Sequence, residues 1–290
     1  MKRAWVAGLV AAVLCGWTTI ASAGPVILAG HDADDHTGTS GTSFDAYVSL
    51  FNSLLTNVTN GGSGILAIGA DTSTTAGDWI AAIGAAMDTT QLVTYVNGAD
   101  ITSVDFSSYA ILFVPSDSAD TFGGITGTEN ALLTDRADDV ATFVNDGGGL
   151  FGLTQGQLAD AYGYISGAGG LGSITTLSVS SSGILPSTFE YANVEATAAG
   201  EALGLTDTNV DGCCWHNVFL TYPSFLGVLA TAYTPNTGDE AFHGQASVIG
   251  GSNVQIQTSV VPEPTSMLLF GLGGLGAGFV RRRRNKLGNV

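Results

Sequence analysis

The chain has 290 residues, with 8 basic against 25 acidic side chains, a formal charge of −17 and 3 cysteines. So acidic a chain is repelled by phosphate backbones and anionic surfaces, which argues strongly against nucleic acid as a partner. Three cysteines, two of them adjacent, exclude a disulfide-stapled fold.

Lys2 and Arg3 form a basic n-region, Ala4 to Ile20 is mostly apolar, and Ala21-Ser22-Ala23 has the small-x-small pattern of a signal peptidase site. Residues 1–23 therefore read as a signal peptide cut after Ala23, with the Sec machinery and signal peptidase as first partners. Leu14 before Cys15 does not fit a lipoprotein site. Seven of the eight basic residues lie in the two chain ends, and Glu263 is the only acid outside the body, so Arg136 is left to face 24 acids. Such a body attracts cations, and outside the cytoplasm calcium is the expected one.

Residues 24–257 are long enough for one α/β domain. Continuous apolar runs at 24–31, 64–70, 92–96, 109–114 and 150–153 predict buried strands. Helical spacing of Phe44, Tyr47, Val48, Phe51, Leu54 and Leu55, with Ser43 as N-cap, predicts a helix between the first two. Further helices are predicted at 78–87 and, as one piece, at 129–145 before Gly147-Gly148-Gly149. Strands alternating with helices point to a doubly wound, mostly parallel sheet of flavodoxin-like type. The Ser/Thr-rich residues 173–194 suggest β-hairpins or a peripheral insertion, 226–233 a closing strand, and 246–257 a closing hairpin turned at Gly250-Gly251-Ser252-Asn253.

His31-Asp32-Ala33-Asp34-Asp35-His36 follows the first strand, where doubly wound sheets place their ligand sites. Two imidazoles and three carboxylates suit a divalent metal, His favouring zinc-like ions and Asp favouring calcium; a solvated acidic loop capping backbone amides is the plain alternative. Asp207-Thr208-Asn209-Val210-Asp211-Gly212 matches the first half of a calcium loop, with Asp207, Asn209 and Asp211 at alternate positions. Val218 stands where an EF-hand needs its acid, so a generic calcium turn or an Asx turn remains. Cys213-Cys214-Trp215-His216 sets thiols beside an imidazole, although neighbouring side chains point apart, and Trp215 reads as packing.

The run Tyr109 to Ser116, the helix after it, and Phe143-Val144-Asn145-Asp146-Gly147-Gly148-Gly149-Leu150-Phe151-Gly152-Leu153 resemble the class I glutamine amidotransferase-like fold. That family carries its nucleophile in Gly-x-Cys-x-Gly; the matching stretch here is Gly152-Leu153-Thr154-Gln155-Gly156, with Thr154 in the cysteine's place and no His-x-Glu pair downstream. The resemblance therefore implies the fold without glutamine hydrolysis. Thr154, His31 and His216 stay the catalytic candidates for a hydrolase reading.

Residues 258–264 form a linker ending in Pro262-Glu263-Pro264, and 265–290 hold an uncharged stretch to Val280 followed by Arg281, Arg282, Arg283 and Arg284. As a helix that stretch covers roughly 24 Å, which snorkelling arginines extend toward a bilayer's apolar core. This order of parts resembles the PEP-CTERM sorting signal of Gram-negative bacteria. The resemblance implies inner-membrane anchoring, cleavage near Pro-Glu-Pro by an exosortase, arrival at the surface or outside the cell, and association with exopolysaccharide and biofilm. The expected protein is an exported binding or structural component, with an extracytoplasmic hydrolase or a calcium-cross-linked matrix component as alternatives.

Overall fold

The computed structural model describes residues 22–119, 121–154, 158, 160–166, 174–178, 193–207, 215, 217–233 and 243–256. Residues 1–21, most of the expected signal peptide, and residues 257–290, with the expected membrane stretch, lie outside them. Among the described residues no helix is long and apolar enough to cross a membrane.

Five strands run parallel: β1 (Val26–Ala29), β2 (Ile65–Ile68), β3 (Val93–Val96), β4 (Ile111–Val114) and β5 (Gly149–Leu153), in spatial order β3-β2-β4-β5-β1. All but the edge strand β3 are buried along their whole length, which is why they read as unbroken apolar runs. The order is a cyclic shift of the flavodoxin order 2-1-3-4-5, with β1 in the place of the last strand.

Beyond β1 the sheet turns antiparallel, which corrects the expectation of a mostly parallel sheet. β10 (Ala246–Gly251) pairs with β1, then β8 (Asn217–Thr221) and β6 (Thr175–Ser178) follow, while β9 (Gly227–Tyr233) links β10 to β7 (Asn193–Ala196). The Ser/Thr-rich segment opens with β6 at one end of this sheet and runs into β7 beside β9, while residues 179–192 lie outside the described residues. β8 and β9 leave residues such as Leu220 and Tyr233 exposed, and partly solvated strands of this kind pair antiparallel. The closing hairpin is corrected too: β10 is a single strand beside β1, and after Gly251 the chain leaves the sheet to Val254, whose N–H donates to Gly24 O at 3.0 Å.

Helices cover both faces. On one, α2 (Thr42–Asn57) and α3 (Thr75–Ala86) set Phe51, Trp79 and Ile83 against Phe113 and Phe151, and Leu203 and Leu205 after α7 (Ala198–Glu201) extend the same core. On the other, α4 (Gly127–Thr134), α5 (Ala137–Asn145) and α6 (Gly163–Ser166) bring Leu133, Val140, Val144 and Tyr164 onto Val26, Leu112 and Leu150. Helix α2 starts behind Gly41 (φ 99°) with no side-chain cap, rather than at Ser43. Helix α3 is capped by Thr74, whose hydroxyl accepts from Gly77 N.

The helix expected in one piece over 129–145 is two. Arg136, at φ −104° and ψ 20°, breaks it, because its guanidinium donates to the carbonyls of Ile101 and Val104, each at 2.8 Å, and to Asp139 at 2.9 Å, and lies 4.0 Å over the Phe106 ring. The body's single basic side chain thus ties the 3-10 turns Gly98–Thr102 and Phe106–Ser108 to α5. Helix α4 opens with a capping box, Thr126 Oγ1 accepting from Glu129 N while Glu129 accepts from Thr126 N. Replacing Thr126 by Ala should cost about 1 kcal/mol, read as a lower midpoint in urea unfolding at unchanged slope.

Candidate functional site

Where β1 ends, Gly30 passes close enough to Asn217 that a Cβ would collide with the Asn217 carbonyl. Asn217 N donates to Gly30 O at 3.1 Å, and Gly30 N donates to Ser247 O at 2.9 Å. The missing side chain lets the antiparallel half close over the end of β1. Trp215 consequently bridges to His31, their rings stacked at 4.6 Å and 12°. His31 Nδ1 lies 2.5 Å from the Tyr47 hydroxyl of α2. Burial, with the charges of Asp32 and Asp34, raises the Tyr47 phenol well above its ordinary value. The phenol thus keeps its proton and shares a hydrogen bond with Nδ1, while Nε2 on the other side of the ring faces Asp32 Oδ1 at 4.0 Å.

The chain then forms the single turn α1 (Ala33–His36), with Asp35 N and His36 N both donating to Asp32 O. This turn sorts its carboxylates. Asp32 is fully buried, and its Oδ2 lies 3.0 Å from His36 Nε2, which is also 3.6 Å from Asp35 Oδ2. One ligand atom each from Asp32, Asp35 and His36 lies within 4.8 Å of the others. His36 is 36 % exposed and Asp35 27 %, so the group opens to solvent on one side.

Asp34 faces the other way. Its Oδ2 accepts from Ser116 N at 3.0 Å and its Oδ1 from Ser116 Oγ at 2.7 Å, and Ser116 Oγ lies 2.6 Å from Thr121 Oγ1. The turn after β1 is thereby fastened to the turn after β4. Burial lifts the Asp34 carboxyl to about 7 even though both Ser116 donors favour the ionised form, and the charge of Asp32 adds to the rise.

Of the five metal candidates in this turn, Asp32, Asp35 and His36 converge, His31 is engaged by Tyr47 and Trp215, and Asp34 is engaged by Ser116. Two carboxylates and an imidazole make a donor set suited to a first-row divalent ion as well as to a hard cation. Asp207 lies elsewhere, its Oδ1 accepting from Ala196 N at 2.7 Å; Asn209 and Asp211 are outside the described residues, as are Cys213, Cys214 and His216. His243 packs on Tyr233 with ring centroids 5.3 Å apart. Thr154 is 1 % exposed, and its N–H donates to Ala29 O at 3.1 Å, continuing the β1–β5 ladder.

Tyr47, Ser116 and Thr121 were not singled out from the sequence. Tyr47 sits on the apolar stripe of α2 and reads as core, and Ser116 and Thr121 belong to a polar turn without a motif. A separate cleft of about 250 Å³, lined by Asn60, Asp105, Arg136, Asp139, Thr142 and Asp146 among others, lies near the amino ends of the parallel strands. Hydrogen bonds from Ser107 to Asp105 hold that carboxyl below its ordinary value.

Compared with known protein families, residues 260–284 match the PEP-CTERM protein-sorting motif. No curated protein and no solved structure matches the chain. The match covers the Pro-Glu-Pro, the uncharged stretch and the four arginines, and it fits an exported protein that is anchored at the membrane before exosortase processing.

Proposed function

We propose that this is an exported surface or matrix protein, delivered by its PEP-CTERM motif, whose α/β domain is a non-catalytic binding module that takes a divalent cation at Asp32, Asp35 and His36. The observation that carries the reading is the convergence of those three side chains at the carboxyl end of β1. The cation either bridges to an acidic exopolysaccharide or holds the turn for a partner in the biofilm matrix. The cyclically shifted parallel half and the glycine-rich entry to β5 support an amidotransferase-like ancestry for the domain. The enclosed Thr154 weighs against retained hydrolysis, and the 24 acids of the body favour calcium as a further, surface-bound ion.

Thermal unfolding of the purified exported protein in Mn²⁺, Zn²⁺ or Ca²⁺ tests this. An ion held at a hundred times its dissociation constant should stabilise by about 2.7 kcal/mol. Asp32→Asn and His36→Ala should each remove the response. A melting temperature indifferent to all three ions, or a response that survives both substitutions, would sink the proposal. A response to Ca²⁺ alone that survives both would instead assign the cation to the acidic surface.

A further inference from the structure

Export through the leader predicts a chemical event at Ala23–Gly24, and in the uncut chain the Gly24 nitrogen which that event would free lies against a helix end. Gly24 N donates to Val144 O at 2.7 Å, and Gly24 O accepts from Val254 N at 3.0 Å. Pro25 O accepts from Leu150 N at 2.9 Å, so the residue after Gly24 is already part of the sheet. A Cβ on Gly24 would collide with the Gly148 carbonyl, so only glycine lies this close.

Val144 is in the last turn of α5, whose carbonyls carry the negative end of the helix dipole. That turn holds no basic residue, the body's one basic side chain is spent on the opposite end of α5, and residues 24–257 contain no lysine.

We propose that the α-ammonium of Gly24, created by leader removal, is the cation that caps the carboxyl end of α5, so that processing itself tightens the fold. The inference rests on the reading of export with cleavage after Ala23. In that hydrolysis the Ala23–Gly24 C–N bond breaks, water gives its OH to the Ala23 carbonyl carbon and its H to the Gly24 nitrogen, and the amine takes a proton from solvent at neutral pH. The amide donor of the precursor becomes a charged donor on the same acceptor, and charge-assisted bonds are shorter and stronger than neutral ones.

The test uses the exported protein as purified. Mass spectrometry identifies the first residue, and acetylation by an amine-reactive ester at pH 7 is then followed at Gly24 in the native protein and in urea; Lys286, if retained, reports separately as an exposed control. An α-amine has an ordinary pKa near 8, and pairing with the helix end should raise it. Labelling at Gly24 should therefore be at least about tenfold slower in the native protein than in urea, and its pH profile should shift upward on folding. Equal rates at a proven Gly24 terminus would overturn the proposal while leaving the export reading intact. A first residue other than Gly24 would overturn the proposal together with the cleavage site after Ala23, and a mass that still includes residues 1–23 would count against export as well.

Discussion

Asp34→Asn should flatten the dependence of stability on pH between about 4 and 8 and leave the fold intact. The Asp34 carboxyl rises from an ordinary 3.8 to about 7 in the folded protein, mainly because burial disfavours the charge. The native state therefore binds a proton that the unfolded chain releases near pH 4. A group raised in this way contributes stability that is fully present below pH 3.8 and is lost as the pH climbs through 7. A carboxyl raised this far contributes about 4 kcal/mol, and it is too deeply buried for solvent to screen it.

Asparagine imitates the protonated acid: its carbonyl still accepts from Ser116 N, and its amide can donate to Ser116 Oγ, which then turns its own proton to Thr121 Oγ1. The difference in unfolding free energy between Asp34→Asn and the parent should therefore change by about 4 kcal/mol across this range in favour of the variant at high pH. Urea unfolding at several pH values in the presence of a chelator measures it. Ser116→Ala removes a donor that favours the carboxylate, so it should move the sloping region to higher pH. A pH slope unchanged by Asp34→Asn would assign the titration to another group.

The same turn marks how far the sequence could be read. His31 to His36 was legible as a chemically dense stretch after a buried strand, because β1 is covered on both faces and announces itself as an apolar run. Its division of labour was not legible. Asp32 and Asp34 are two residues apart in one kind of loop, and only Ser116, 82 residues downstream, separates their roles. The break between α4 and α5 was hidden for a related reason. The apolar spacing of Leu133, Ala137, Val140 and Val144 continues straight through it, whereas the cause is Arg136 reaching carbonyls more than 30 residues away. The antiparallel half was misjudged because pairings such as β1 with β10 join opposite ends of the body, and no local periodicity encodes them.

Trp215→Ala should be among the most damaging single changes, at about 3–5 kcal/mol, because Trp215 joins the two halves of the sheet at the site. The side chain is 1 % exposed and stacks on His31, and β8 begins two residues later, with Asn217 bonded to Gly30. Truncation leaves a cavity at the point where β8 closes over the end of β1, and it removes the ring that stacks on His31. Trp215→Phe keeps an aromatic face for His31 and should lose less than half as much. Calorimetry of the two variants with and without the stabilising cation separates packing from binding. Trp215 lies outside the Asp32, Asp35 and His36 set, so the cation-induced rise in melting temperature should persist in Trp215→Phe and shrink in Trp215→Ala, where the His31 ring beside Asp32 loses its stacking partner and keeps Tyr47. If the rise were the same in both variants and in the parent, His31 would have no part in positioning Asp32, and its contacts with Tyr47 and Trp215 would be a matter of stability alone.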